Sequence, residues 1–572
     1  MKRCPECRRD YYDDTLLYCL DDGSALLEGP ATASGGDEPA TAILHETTPP
    51  HEAATRAQIR MTDQTAVLPT GTGAIVPRST GFDQRLVAIP LLLAIISLGG
   101  FFGYRYFAVS NSKQINSIAV MPFVNESGKA DVDYLTDGMT DTLISSLSHV
   151  PNLSVKAHTS VFRYKGKDTS PKTVAAELNV QAILNGRVME RGDQMTVSLE
   201  LIDPLTENVL WSEKYDRKQA DLISLQKEIA SDVSNKLKTR LSGADEQKIT
   251  KTSTANTEAY QLYLKGRFYW NQRTAASLKQ AAEYFQQAVD KDPDYALAYS
   301  GLADSYDLLP NYGGGTSQEY YPKAKASALK AVELDDNLTE AHTSLANVII
   351  SYEWNVPDST REFKRAIELN PNYATAHHWY SDGPLLATRQ LDESIAEMKR
   401  AQEIDPLSLI INGELGALYV YARRYDDAVL QLQKTVQMDD SFYYAHWNLG
   451  IAYRMKGQYP AALAEYKKAF GLNQDPSVLS LMGEAQAVSG DRAGAMKTLA
   501  DLNERAKKGY VPPYALATLY GALGDKDEAF RQLEVAYNSH ALELQLMRVD
   551  TILDSLRGDP RLDELTKRVF KE

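Results

Sequence analysis

Cysteine is nearly absent from this chain. Its 572 residues include three, Cys4, Cys7 and Cys19, and none thereafter. That excludes a disulfide-built scaffold, and the long thiol-free stretch suits a compartment where stray cysteines oxidise. Positive charge is also short: 61 Lys and Arg stand against 76 Asp and Glu, a formal net charge of -15. A broad basic surface cannot be built from this balance, so nucleic acid is not the expected partner. Catalytic signatures are missing as well. There is no P-loop, no GxGxxG after a strand, no GxSxG, no HExxH and no kinase set. Gly313-Gly314-Gly315 lacks the Lys-Ser/Thr of a phosphate loop and reads as a flexible connection. No enzyme is expected. Long apolar runs are scarce too, with one exception.

That exception is LVAIPLLLAIISLGGFFGY, Leu86 to Tyr104, uncharged and set between Arg85 and Arg105. As a helix it would reach roughly 28 Å, about the thickness of a bilayer's hydrocarbon. The expectation is a single transmembrane helix over 85–109, embedded through 86–104. Arg78 and Arg85 before it nearly balance Arg105 and Lys113 after it. The cysteines decide the expected orientation: single-pass in the bacterial inner (cytoplasmic) membrane, N-terminus cytoplasmic, C-terminal domains periplasmic or extracytoplasmic.

Before the apolar run, residues 1–28 hold Cys4 and Cys7 in a C-x2-C turn, then Cys19 and, in a C-x2-D step, Asp22. Zinc takes four tetrahedral ligands, thiolate first and carboxylate acceptably, and so short a unit needs the ion to fold. The pattern resembles a degenerate zinc-ribbon knuckle, CPxC…YCxxDG, with structural zinc on Cys4, Cys7, Cys19 and Asp22. The usual fourth cysteine is missing, leaving Asp22, Asp21, His45, His51 or water to complete the shell. Residues 29–84, rich in Ala, Thr, Gly and Pro, read as a disordered linker.

Residues 112–243 alternate strand and helix patterns. A strand at 115–125 precedes a helix at 134–150 and a short strand at 153–157. A helix follows at 171–180, then two strands around Gly192-Asp193, a strand at 208–216 and an amphipathic helix at 221–241. A mixed α/β domain is expected. SIAVMPFVNESG (117–128), YLTDGMTDTLISSLS (134–148), ILNGRVMERGDQMTVSLELID (183–203) and LWSEKYDR (210–217) resemble the TolB amino-terminal-like domain found beside repeat arrays in bacterial sensor and cyclase-associated proteins. The resemblance brings no catalytic residues. Asp137 and Asp141 read as a helix start and a solvated face.

From 256 to 540 the sequence repeats at about 34 residues. In AHWNLGIAYRMKGQYPAALAEYKKAF (445–470), Trp447, Gly450 and Tyr453 fall on a first helix, and Ala462 and Ala469 on a second. Gly416 and Ala428 precede Gly450 and Ala462 by 34 residues, Gly483 and Ala495 follow them by 33, and Ala529 and Ala536 open a further copy. Small residues let paired helices approach closely. Asp292-Pro293, Asn370-Pro371 and Asp405-Pro406 punctuate the copies. The pattern resembles the tetratricopeptide repeat, in about eight copies, with capping helices at 541–572. His377-His378 and His446, at helix positions with no carboxylate-and-cysteine company, read as packing or surface residues and not as ligands.

The expected whole is multidomain: a single transmembrane helix, a mixed α/β domain, then an all-α tetratricopeptide superhelix. The expected function is a membrane-anchored scaffold or signalling adaptor that holds a protein or peptide in the repeat groove. The alternative is a one-pass transmembrane transcription regulator with a cytosolic zinc ribbon and an outward sensing array.

Overall fold

The computed structural model describes residues 2–3, 10–11, 27–28, 115–129, 132–237, 242–251 and 254–571. The chain falls into two compact units, Met1–Gly99 and Gly100–Glu572. In the first, strands β1 (Lys2–Arg3), β2 (Asp10–Tyr11) and β3 (Leu27–Glu28) form an antiparallel sheet of order β2-β1-β3. Cys4, Cys7, Cys19 and Asp22, the expected zinc ligands, lie outside the described residues.

The expected membrane architecture requires correction. Among the described residues no helix is long and apolar enough to cross a membrane. The longest, Ser317–Leu334, has 18 residues and carries Glu319, Lys323, Lys325, Lys330 and Glu333, charges no bilayer core accepts cheaply. The run 86–104 lies outside the described residues. The single-pass inner-membrane location rested on that helix and falls with it.

The second unit opens with a mixed sheet. Strand β4 (Ser117–Val120) runs parallel to β6 (Ser154–Val155) and β7 (Ala182–Arg191), and β5 (Val124–Asn125) continues beside β7. Strands β7, β8 (Gln194–Asp203) and β9 (Asn208–Lys218) form an antiparallel meander, so the order is β6-β4-β7-β8-β9. Along β8 the alternate residues Met195, Val197, Leu199 and Leu201 are buried, the period-two pattern of a sheet with one covered face. The helices Asp133–Ser148 and Leu222–Lys236 supply Leu135, Met139, Leu143, Leu225, Ile229 and Val233 to the same core.

That core does not stop at the domain's edge. Ala259, Tyr260, Leu264, Ala288 and Tyr295, from the first helices of the array, belong to it. At Gly138 a Cβ would sit 2.8 Å from the Leu264 side chain, so only glycine lets helix Thr257–Trp270 lie this close to helix Asp133–Ser148.

The array itself pairs helices in sequence, from Thr257–Trp270 with Ala275–Lys291 to Pro513–Leu523 with Lys526–Asn538. Side chains start many of them: Asn256, Thr274, Thr316, Ser408, Asp475 and Asp525 accept the free amides of the first turn. Between copies, Asp292 and Asn370 end one helix in extended backbone before the next begins, and Asp405 leaves the helical conformation at the corresponding place. Two copies break the pattern. Their first helices end in π-helical segments, Ile349–Glu353 and Ser381–Leu385. The C-terminal segment folds back onto this region, with Arg548 Nη1 donating to the Ala387 carbonyl at 3.0 Å and His540 stacked on Trp354.

Candidate functional site

The repeat-packing residues sit where the helices cross. Ala428, Ala462, Ala469, Ala495, Ala529 and Ala536 have no exposed surface. A Cβ on Gly416 would strike the Leu432 side chain at 2.4 Å, one on Gly450 the Tyr466 ring at 2.4 Å, and one on Gly483 the Thr498 methyl at 2.9 Å. Trp447 and Tyr453 are only partly buried, at the margin of the same core.

A second set of contacts stitches each copy internally. His342 lies against Glu362 through Nδ1 (2.7 Å) and against the Asp336 carbonyl through Nε2 (3.0 Å). His377 does the same with Glu397 (2.5 Å) and the Pro371 carbonyl (3.0 Å), and His446 with Glu465 (2.6 Å) and the Asp440 carbonyl (3.0 Å). At the intervening copy, Asn412 donates to the Pro406 carbonyl (2.9 Å) and accepts from Gln431 (2.9 Å), a neutral version of the same stitch. Burial pushes His342 and His446 down, but their glutamates and backbone acceptors raise both above the ordinary imidazole range. The sequence reading leaves His377 and His446 as packing or surface residues without carboxylate company and does not single out His342; the structure buries all three and gives each a glutamate. The signal was present, as a His followed by Glu 19 or 20 residues later in three copies.

Helix stacking leaves a cavity of 2570 Å³, walled by the array, the C-terminal segment and one face of the α/β domain. The domain is strapped to the array's connecting loops. Ser160 Oγ donates to Asp405 (2.5 Å), Lys156 Nζ to the Glu403 carbonyl (2.6 Å), Arg163 Nη2 to the Met438 carbonyl (2.7 Å), and Asn370 Nδ2 to Ser148 Oγ (2.7 Å). Asp141, read from the sequence as a solvated residue, is instead partly buried at this junction, its side chain 16% exposed and 3.0 Å from Arg267 Nε. Burial pushes its carboxyl up, but Arg267 and His158 hold it well below the usual carboxylate range. Nothing local in the sequence marks this pair, whose members lie 126 positions apart.

Inside the cavity Arg267 and Arg273 flank the Trp270 ring, at 4.4 and 3.6 Å from its centre. Further along, His378 Nε2 meets Glu414, with Asp382 beside them, their ligand-capable atoms all within 4.8 Å of one another. Burial pushes Asp382 well up and Glu414 raises it further, because two carboxylates this close do not both ionise readily. An imidazole and two carboxylates could also hold a divalent ion. Tyr421, Tyr444, Trp447, Tyr510 and Tyr514 supply the aromatic wall.

Comparison with known proteins follows this division. Residues 113–232 match the HilA/YgeH-like transcriptional regulator second-domain family. Residues 270–315 and 414–476 match the tetratricopeptide repeat family. The helical array is therefore a tetratricopeptide array, a protein-interaction architecture. The family matched over the α/β domain is this regulator domain, where the sequence had suggested a TolB amino-terminal-like one. A putative adenylate cyclase 3 of Rhizobium meliloti is 32% identical over 232 residues, 40% of this chain and 39% of that protein. The transcriptional regulator HilA of Salmonella typhimurium is 38% identical over 80 residues, 14% of each chain. The chain thus spans well under half the length of these relatives. Among solved structures, YrrB, a TPR protein with an unusual peptide-binding site, aligns at 21% identity and TM-score 0.26, covering 34% of this chain and 96% of that one. The human IFIT1 dimer aligns at 12% identity and TM-score 0.40, covering 61% and 77%.

Proposed function

We propose that the chain is a non-catalytic interaction scaffold or signalling adaptor that holds an extended protein segment in the cavity of its repeat array. The observation that carries this reading is the 2570 Å³ cavity, lined by tyrosines and by both acidic and basic side chains. Tyrosine gives a large contact area at little entropic cost and keeps a polar tip for the partner's backbone. The α/β domain contributes one wall and fixes the spacing of the loops it straps.

The scarcity of cysteine makes a direct test possible. Ile410 lines the cavity and is 39% exposed. Ile410→Cys, alkylated in the full chain with a bulky maleimide, plugs the cavity. Peptides selected from a random library on the wild-type chain should bind alkylated wild type and fail on the plugged variant. Undiminished binding to the plugged chain would contradict the reading.

A second reading is favoured by the regulator-domain match over 113–232. In it, the array senses a partner and the chain regulates transcription, with nucleic-acid contact from the first unit. Salt-sensitive binding of the full chain to duplex DNA would support it. The proposal extends to zinc on Cys4, Cys7, Cys19 and Asp22. Pairing of Lys2 with Tyr11 and Arg3 with Asp10 brings together the strands that flank the C-x2-C segment, which suits a metal-holding turn. The ion would supply folding energy only, and full-length chain with no stoichiometric zinc would remove it.

A further inference from the structure

The charges lining the cavity are unevenly distributed. Among the described residues, the lining from Asp141 to His378 carries seven lysines and arginines against three carboxylates. From Trp379 to Ile552 it carries six carboxylates, Asp382, Asp405, Glu414, Asp475, Glu543 and Asp550, and no lysine or arginine. The basic share comes from the α/β domain (Arg163, Lys227), the segment after it (Lys248, Lys251) and the first part of the array (Arg267, Arg273, Arg365), and the acidic share from the rest of the array and the C-terminal segment, so the lining is basic before residue 379 and acidic after it.

Internal pairing does not cancel this asymmetry. In the basic half, Arg267 is paired with Asp141, Lys251 with Asp335 and Arg365 with Glu368, but Arg273 forms no ion pair with the described residues and lies over the Trp270 ring. In the acidic half, Asp405 and Asp550 are occupied, by Ser160 and by Tyr514. Glu414 faces another carboxylate, Asp382, with one imidazole between them and no lysine or arginine in ion-pair contact with either among the described residues. Glu543 forms no ion pair with the described residues and stands among Tyr510, Leu542 and Gln545, where burial raises its carboxyl. Aromatic faces stand in the same half: Tyr444 and Trp447 lie 5.9 Å apart, a surface on which a guanidinium or ammonium gains both ring and carboxylate attraction. A cation brought in by a ligand would meet partners the protein itself does not supply.

We infer that the occupant of the cavity is an extended peptide with blocked charge, its lysine- or arginine-bearing segment in the half formed by residues 379–552 and its acidic segment toward Arg273. This rests on the cavity being the binding site. It adds a direction and a chemical class: one chain with two oppositely charged stretches, held in one orientation by charge complementarity.

The test uses the full chain and two fluorescein-labelled probes of identical composition and therefore equal net charge, so that the protein's own -15 acts on both alike. The block peptide has four Gly-Glu repeats followed by four Gly-Lys repeats; the control alternates Glu and Lys throughout. Each carries a benzophenone at its last lysine. At 0.15 M salt the block peptide should bind at least roughly tenfold more tightly than the alternating one. Glu414→Gln with Glu543→Gln should abolish that advantage. Asp426→Asn with Asp527→Asn, at side chains 91% and 93% exposed, should leave it intact. Photo-adducts from the lysine end should map to residues 379–552. Adducts within the cavity but before His378, or equal affinity for both probes, would overturn the charge polarity alone. Adducts wholly outside the cavity, with binding that survives the Ile410→Cys plug, would overturn the underlying site.

Discussion

His377 and His378 are neighbours in sequence and opposites in role. His377 spends both ring nitrogens on its own copy, on Glu397 and the Pro371 carbonyl, and does not line the cavity. His378 lines the cavity and meets Glu414 of the next copy, beside Asp382. The same contrast separates two regions of the array. Its seams are satisfied networks that repeat copy after copy, whereas its inner wall holds buried charges without full internal partners. A protein leaves polar groups so placed only at a cost, and the cost is recovered when something else completes them. The seams therefore account for the fold, and the inner wall is where the proposed partner would complete the charges.

The largest expected effect lies at the junction of the two domains. Arg267→Ala leaves the partly buried Asp141 without its main counter-charge and should cost about 3–5 kcal/mol, read as a lower midpoint in calorimetry and a separate transition for the α/β domain. Next come the helix crossings: Gly450→Ala pushes a methyl into the Tyr466 ring and should cost about 1–3 kcal/mol in denaturant unfolding. His446→Ala should also cost about 1–3 kcal/mol, because Glu465 and the Asp440 carbonyl lose their partner. If His378→Ala proves as destabilising as His446→Ala while leaving peptide affinity unchanged, the distinction between seam and inner wall fails.

These effects divide by how far the sequence discloses them. The strand and helix alternation of 115–237 and the glycine and alanine register of the repeats are legible because each is a local period set by one neighbouring helix or strand. The seam histidines were half legible. Their place on the helices followed from the repeat, but packing and surface positions were not told apart, and their glutamates needed the spacing between two helices of one copy. Asp141 with Arg267, and the grouping of Asp382, Glu414 and Glu543 in one half of a cavity, were not legible. They depend on how successive copies wind and on where the α/β domain docks, and no local pattern records either. The expected membrane helix shows the opposite error: an apolar run of bilayer length was given an architecture that no described helix supports.

Acidity offers a smaller, signed test. Burial raises Asp307 from 3.8 to about 8 in the folded chain, although Asn347 donates to it at 2.6 Å. A group raised on folding keeps its proton longer in the native state, so its contribution is complete below the unfolded value and is lost as pH rises through the folded one. His342 and His446 are raised too and act with the same sign from about pH 6.5 upward. The thermal midpoint should therefore fall between pH 6 and pH 9, and Asp307→Asn should flatten the fall; a midpoint that rises over this range would contradict the assignment. The smallest effect expected is at the outer surface, where Asp527→Asn, at a side chain 93% exposed, should match wild type in both stability and binding.

The most direct measurement places a photoreactive p-benzoylphenylalanine at Tyr444, inside the cavity, or at Tyr425, outside it, in the full-length chain. Each variant is mixed with a library-selected peptide and irradiated. Adducts from position 444 and none from position 425 are the predicted result. Adducts from 425 with none from 444 would show that the cavity is not where the partner binds.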